Sequence, residues 1–175
     1  VAGSGAAAEP AALRLTVCLA PHPDLAVLQA RSLATEIFQD VGVTIVWDSR
    51  AGACPADGIR ALFWHRTPDT LHPGAFGRAV PADGTRIEIF YDRVRVAAPG
   101  ARLPSLLAHV LAHEIAHVAQ AVDHHAPEGL MKAHWVSDDV AGRVWRTLPF
   151  TAMDVELLRR GLGERQVRFG AGRPE

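Results

Sequence analysis

The segment from Leu103 to Trp135, LPSLLAHVLAHEIAHVAQAVDHHAPEGLMKAHW, limits what this chain can become more than any other. It contains HEIAH, in which His113 and His117 stand four residues apart with Glu114 directly after the first. Six of the nine histidines lie between His109 and His134. Leu103 to Val122 carries no glycine and no proline beyond Pro104, which suits a helix start, with Ser105 as a nearby cap. Leu106, Leu107, Val110, Leu111, Ile115, Val118 and Val122 make that helix apolar around most of its circumference, so it should be buried on several sides. Three histidines and a glutamate in such a helix are costly unless partnered. A divalent metal is the simplest partner.

The spacing has a direct physical meaning. A helix advances about 100° per residue, so positions i and i+4 differ by roughly 40° and share a face. Two imidazoles so placed, His113 and His117, can reach one zinc ion. Glu114 lies beside that face, able to take a proton from a metal-bound water and return it to a leaving amine. The pattern is HExxH, and on its own it is modest evidence for zinc.

At 175 residues the chain can bury one real core but not two comfortable ones. A net charge of −1 gives no pull toward nucleic acid or an anionic membrane, and no apolar run reaches the length of a membrane span. VAGSGAAAEPAA, residues 1–12, reads as a flexible small-residue segment rather than a signal peptide. Cys18 and Cys54 permit one disulfide and exclude a cysteine-rich zinc site; two free thiols fit the sequence as well.

In chain order, residues 12–20 alternate as a strand, and Asp24 caps a helix from Leu25 to about Asp40. Its apolar stripe is Leu25, Leu28, Leu33, Ile37 and Phe38. A second strand over 43–47 makes a βαβ unit and hence a partly parallel sheet. A third strand is expected over 59–65, a loop over 66–74, a short edge strand over 75–81, a turn at 82–84 and a strong strand over 86–94. After Trp135 come helices over about 138–146 and, capped by Thr151, about 152–161; the tail from there reads as frayed. The fold class is α/β (α+β): a mixed sheet of about five strands on two long helices, then a small helical end, with one domain over 13–162 and a loose tail over 163–175.

Strands around a helix, the HExxH helix, a methionine-bearing turn and a final helix resemble the metzincin clan of zinc peptidases. AHEIAHVAQAVDHHAPEGLMKAHW, with IFYDRV before it and LPFT after it, is similar to small bacterial metzincin-like HExxH proteins. The resemblance implies a zincin-type twisted sheet, His113 and His117 as ligands, Glu114 as general base and acid, and Met131 as the methionine of a turn beneath the metal. The chain departs from H-E-x-x-H-x-x-G-x-x-H, because Gln120 and Asp123 stand where that pattern has glycine and ligand. Glutamine has no ease at positive φ, so the helix is expected to run one more turn. The third ligand then comes from Asp123, His124 or His125, and the resemblance favours His125, ahead of the G-L-M turn.

The implied activity is a zinc-dependent endopeptidase, monomeric and secreted or periplasmic, acting on a peptide or protein laid extended along the edge strand. One alternative is a glutamate-type zincin with Asp154 or Glu156 as third ligand; another is a zincin-fold protein that binds metal or peptide and cleaves nothing. His134 and Tyr91 are weaker candidates to stabilise an oxyanion. His109 reads as a packed, hydrogen-bonded histidine, and Asp92 and Arg93 as a structural pair or turn. His22, His65 and His72 carry no assigned role.

Overall fold

The computed structural model describes residues 13–22, 24–50, 54–80, 84–135 and 147–170. The elements run β1 (Leu13–Leu19), α1 (Leu25–Gln39), β2 (Val43–Asp48), β3 (Ile59–Phe63), β4 (Gly77–Val80), β5 (Arg86–Ile89), α2 (Tyr91–Ala97), α3 (Leu103–Gln120) and α4 (Ala152–Gly170). The five strands form one mixed sheet in the order β2-β1-β3-β5-β4. All neighbours are parallel except the edge strand β4, which runs antiparallel to β5. The expected βαβ unit is β1-α1-β2, with Leu13 paired to Val43 and Leu15 to Ile45.

Strand alternation decides which face of the sheet is covered. Leu15, Val17 and Leu19 of β1 are buried, as are Val43 and Ile45, Ile59 and Ala61, and Ile87 and Ile89. The registers put these residues on one face, and α1 and α3, packed on each other, cover it. The α1 stripe differs from the expected one. Leu25 and Leu28 are exposed, whereas Ala26, Val27, Ala30 and Ala34 join Ile37 and Phe38 in the core. The small alanines let α1 lie close to α3, so proximity outweighs side-chain size in choosing the buried face. Asp24 caps α1 as expected, its Oδ1 accepting from the Ala26 N–H at 2.9 Å.

Several expected boundaries are corrected. The strand expected over 86–94 ends at Ile89, and Tyr91–Ala97 is helical. Tyr91, Val94 and Ala98 recur at helical spacing and are buried, and Asp92 accepts from both the N–H (2.8 Å) and the hydroxyl (2.6 Å) of Thr67. Arg93 donates to the carbonyls of His72 (2.7 Å) and Ala75 (3.1 Å). Asp92 and Arg93 are thus structural, but each anchors the loop leading to β4 rather than the other. Ser105 does not cap α3; the cap position is Arg102 and makes no side-chain bond. The last helix runs to Gly170, well past the expected end near 161. Leu157, Leu158 and Leu162 bury its inner face, and Arg165 donates to the carbonyls of Asp57 (2.9 Å) and Gly84 (2.8 Å). Residues 163–170 thus continue the helix, with Arg165 tying it to the loops at Asp57 and Gly84. The expected N-terminal segment 1–12, the helix over 138–146, most of the turn at 82–84 and the end of the tail lie outside the described residues.

A disulfide joins Cys18 to Cys54, tying β1 to the segment that enters β3. Among the described residues no helix is long and apolar enough to cross a membrane.

Candidate metal centre

The site is built on α3. Residues 103–116 of that helix are all buried, so its histidines must satisfy their ring nitrogens inside the protein. His109 does so with backbone alone: its Nδ1 lies 2.7 Å from the Ser105 carbonyl and its Nε2 accepts the Leu148 N–H at 3.0 Å. Both nitrogens are used, and His109 is structural as expected.

His113 and His117 are different. His113 donates from Nδ1 to the Leu130 carbonyl at 2.9 Å, which leaves its Nε2 as a bare acceptor. The Nε2 of His117 faces the Nε2 of His113 at 3.0 Å. With its Nδ1 donating to a carbonyl, His113 aims a lone pair at the His117 ring, and one cation could be shared by the two facing nitrogens. Two nitrogens on one tetrahedral zinc ion sit about 3.3 Å apart, so the spacing fits a shared metal. His125 completes the group: one nitrogen from each of His113, His117 and His125 lies within 4.8 Å of the others.

Burial keeps His113 and His117 neutral, which a ligand requires. It lowers the His113 pKa, and it brings His117 down to about 4 with the help of repulsion from His113 and His125. A second close imidazole pair shows what the tautomers decide. His22 and His65 also bring their Nε2 atoms to 3.2 Å, but His22 Nδ1 accepts the Asp24 N–H. Its proton therefore sits on Nε2 and is donated to His65. That pair needs no ion.

The helix breaks earlier than expected. α3 ends at Gln120, and Ala121 takes the left-handed conformation at φ 55°. The turn the sequence placed beyond Gln120 thus falls one residue after the glycine of the metzincin pattern, and the third histidine falls two residues later than that pattern's ligand. His124 points away from the group, its Nε2 3.4 Å from Asp154 Oδ1. Asp123 is exposed and lines the cavity without joining the group. Asp154 is wholly buried and caps α4, Glu156 is exposed, and neither joins it.

The G-L-M turn holds the site from behind. Gly129 adopts φ 75°, Leu130 donates its N–H to the Pro149 carbonyl at 2.9 Å, and Met131 accepts the Ala126 N–H at 2.8 Å. Met131 is completely buried. The Leu130 carbonyl that orients His113 also accepts from Trp135 Nε1 at 3.2 Å, and the Trp135 ring stands edge-on to His113. Trp135 and this carbonyl were not legible as site groups in the sequence, because a backbone acceptor leaves no residue signature.

Glu114 lies against the sheet edge. Its carboxyl is buried, and burial raises its pKa to about 8, with the Ala79 backbone acting the other way. Gly77 makes the approach possible: a Cβ there would stand 3.0 Å from Glu114 Oε1 and 2.9 Å from the Glu88 carbonyl. Phe90 donates to the Phe76 carbonyl, so by alternation Gly77 and Ala79 turn their N–H and C=O groups away from β5. Among the described residues no strand pairs with the outer side of β4, the edge strand expected near 75–81, which runs beside Glu114. A cavity of about 880 Å³ opens over His113, Glu114 and His117, walled by β4 on one side and by α4 residues including Glu164 and Arg168 on another. His134 lines it. Tyr91 does not; its hydroxyl donates to Asp24 amid the rings of His22, Phe63 and His65, which removes it as an oxyanion stabiliser. The α4 wall was missed because those residues had been assigned to the tail.

No protein-family model and no curated protein sequence matches this chain.

Proposed function

We propose that this protein is a zinc-dependent endopeptidase of metzincin type, with His113, His117 and His125 as ligands and Glu114 as general base and acid. The observation that carries the reading is the convergence of three imidazoles, one of them oriented by the Leu130 carbonyl, beside the buried carboxyl of Glu114 and the edge strand β4. Zinc bound there would acidify a water and polarise the scissile carbonyl. Glu114 would take the proton from that water and deliver it to the leaving amine. Burial alone raises its carboxyl to about 8, and the charge of a bound zinc would draw it back toward the ionised form a base needs. A peptide or protein substrate lies extended along β4, bonded to outward backbone groups such as those of Gly77. His134, on the cavity wall, remains a candidate to steady the oxyanion. The Cys18–Cys54 disulfide supports an exported, oxidising location.

One observation favours a second reading, a module that binds metal or peptide without cleaving. Burial raises the Glu114 carboxyl to about 8, toward the protonated form that cannot serve as a base. Incubating the zinc-loaded protein with a mixed peptide library, beside its Glu114→Gln variant, separates the two. Cleavage by the parent that the variant lacks, at equal zinc content, supports the peptidase. Zinc binding with no cleavage by either protein supports the binding module.

A further inference from the structure

We propose that Asp154 and His124 are positioning residues for the metal site: Asp154, in the first turn of α4, holds His124 and so fixes the loop from which His125 enters the three-histidine group. The inference rests on the reading of that group as metal ligands.

The loop needs such an anchor. It leaves α3 through Ala121 at φ 55°, a conformation that costs a non-glycine residue about 1 kcal/mol or more. Ala121, Val122, Asp123 and His125 are all exposed, so apolar packing does little to hold this stretch. His124 alone turns inward, and its Nε2 meets Asp154 Oδ1 at 3.4 Å. Among the described residues neither atom has another hydrogen-bond partner. Adjacent histidines thus face opposite ways, one toward the group and one toward a carboxylate that is completely buried.

Asp154 does more than cap a helix. Its Oδ2 accepts from the Thr151 N–H (2.8 Å) and hydroxyl (2.7 Å), while its own N–H donates to the Thr151 hydroxyl (3.2 Å). That closes a capping box with one oxygen. The second oxygen is surplus to capping, and burying it without use is costly. Its carbonyl accepts from Gln120 Nε2 at 3.3 Å, at the last residue of α3. One residue therefore joins the end of the ligand helix, the ligand loop and the head of α4. The Asp154 charge also reaches the site, since it acts on His113.

Zinc affinity measured by chelator competition tests this, on the full-length protein and on His124→Ala, Asp154→Asn, their double variant and Thr151→Ala. Asparagine can keep the cap with its oxygen but turns an N–H toward His124. His124→Ala and Asp154→Asn should each weaken zinc binding about tenfold. The double variant should be no more than about twofold worse than the poorer single one, because both remove the same contact. Thr151→Ala breaks the capping box alone; it should lower stability yet keep zinc affinity within about twofold. In cobalt-loaded protein, the visible bands should change in the first two variants and match the parent in Thr151→Ala. Independent, multiplying losses overturn the proposal. So does a Thr151→Ala defect equal to that of Asp154→Asn, or unchanged affinity in His124→Ala. If Asp154→Asn does not fold, the comparison of His124→Ala with Thr151→Ala decides. A parent protein that holds no ion refutes the metal reading itself, before any variant is compared.

Discussion

Two glycines in α4, two residues apart, should respond to alanine with opposite signs. Helix propensity alone favours both substitutions by about 1 kcal/mol. At Gly163 nothing lies within 4 Å of the added Cβ, so Gly163→Ala should be stabilising by about 0.5–1 kcal/mol. At Gly161 the same atom would stand 2.2 Å from the Ala119 carbonyl oxygen and 2.8 Å from the carbonyl carbon and oxygen of Gln120. These are backbone atoms of α3 and cannot rotate aside. Restoring ordinary contact requires α3 and α4 to part by about 1 Å, which forfeits a quarter to a half of the dispersion energy at each contact between them. Overpacking of this kind costs about 1–3 kcal/mol, and the rigid neighbour argues for the upper end. After the propensity gain, Gly161→Ala should lose about 1–2 kcal/mol and melt about 2–8 °C lower, while Gly163→Ala melts about 1–4 °C higher. Urea titration followed by circular dichroism reads both. If Gly161→Ala is as stable as the parent, α4 does not lie on the end of α3 as described, and the α4 wall of the cavity goes with it.

Other consequences can be checked in the same preparations. In the ion-free protein, the Glu114 carboxyl is raised from 4.5 to about 8, so the folded state holds its proton more tightly than the unfolded chain does. Its contribution is present below about 4.5 and is lost as pH climbs to about 8. His113 and His117, lowered from 6.5, act the other way: they withdraw stability as pH falls below 6.5. Between 6.5 and 8 the Glu114 slope stands clear of both histidines, so unfolding free energy should fall with pH in the parent and stay flatter in Glu114→Gln. Parallel curves over that window would contradict a buried neutral carboxyl. Reducing the Cys18–Cys54 bond opens a loop of 36 residues and should cost about 3–4 kcal/mol in denaturation, and no change on reduction argues against the pairing. His109→Ala strands the Leu148 N–H and should lose about 1–3 kcal/mol with metal content unchanged; loss of the ion would place His109 in the site.

The parts of this fold written in side-chain period were legible. Alternation in β1 and the apolar run of α3 marked both elements, and the four-residue step from His113 to His117 marked the site. Asp24 and Thr151 announced their helices because a capping side chain is a local signal. What escaped was set by tertiary contact. The buried face of α1 follows its alanines, which only the nearness of α3 selects. Tyr91 to Ala97 alternates well enough for a strand, and the burial of Tyr91, Val94 and Ala98 decides for helix. The tail looked frayed from its glycines, yet Gly161 is what lets it dock against α3. At the site, the second half of the His113 chemistry lies in the Leu130 carbonyl, which no residue type encodes. His125 could be preferred over His124 only by resemblance, because adjacent loop residues differ by where Asp154 sits, thirty residues on.

The central claim is that His113, His117 and His125 together grip one metal ion. Elemental analysis of the purified parent beside His125→Ala tests it most directly. The account predicts about one equivalent of zinc in the parent, as a three-histidine site requires, and most of it lost in the variant. A parent without metal, or a His125→Ala protein that retains a full equivalent, would contradict it.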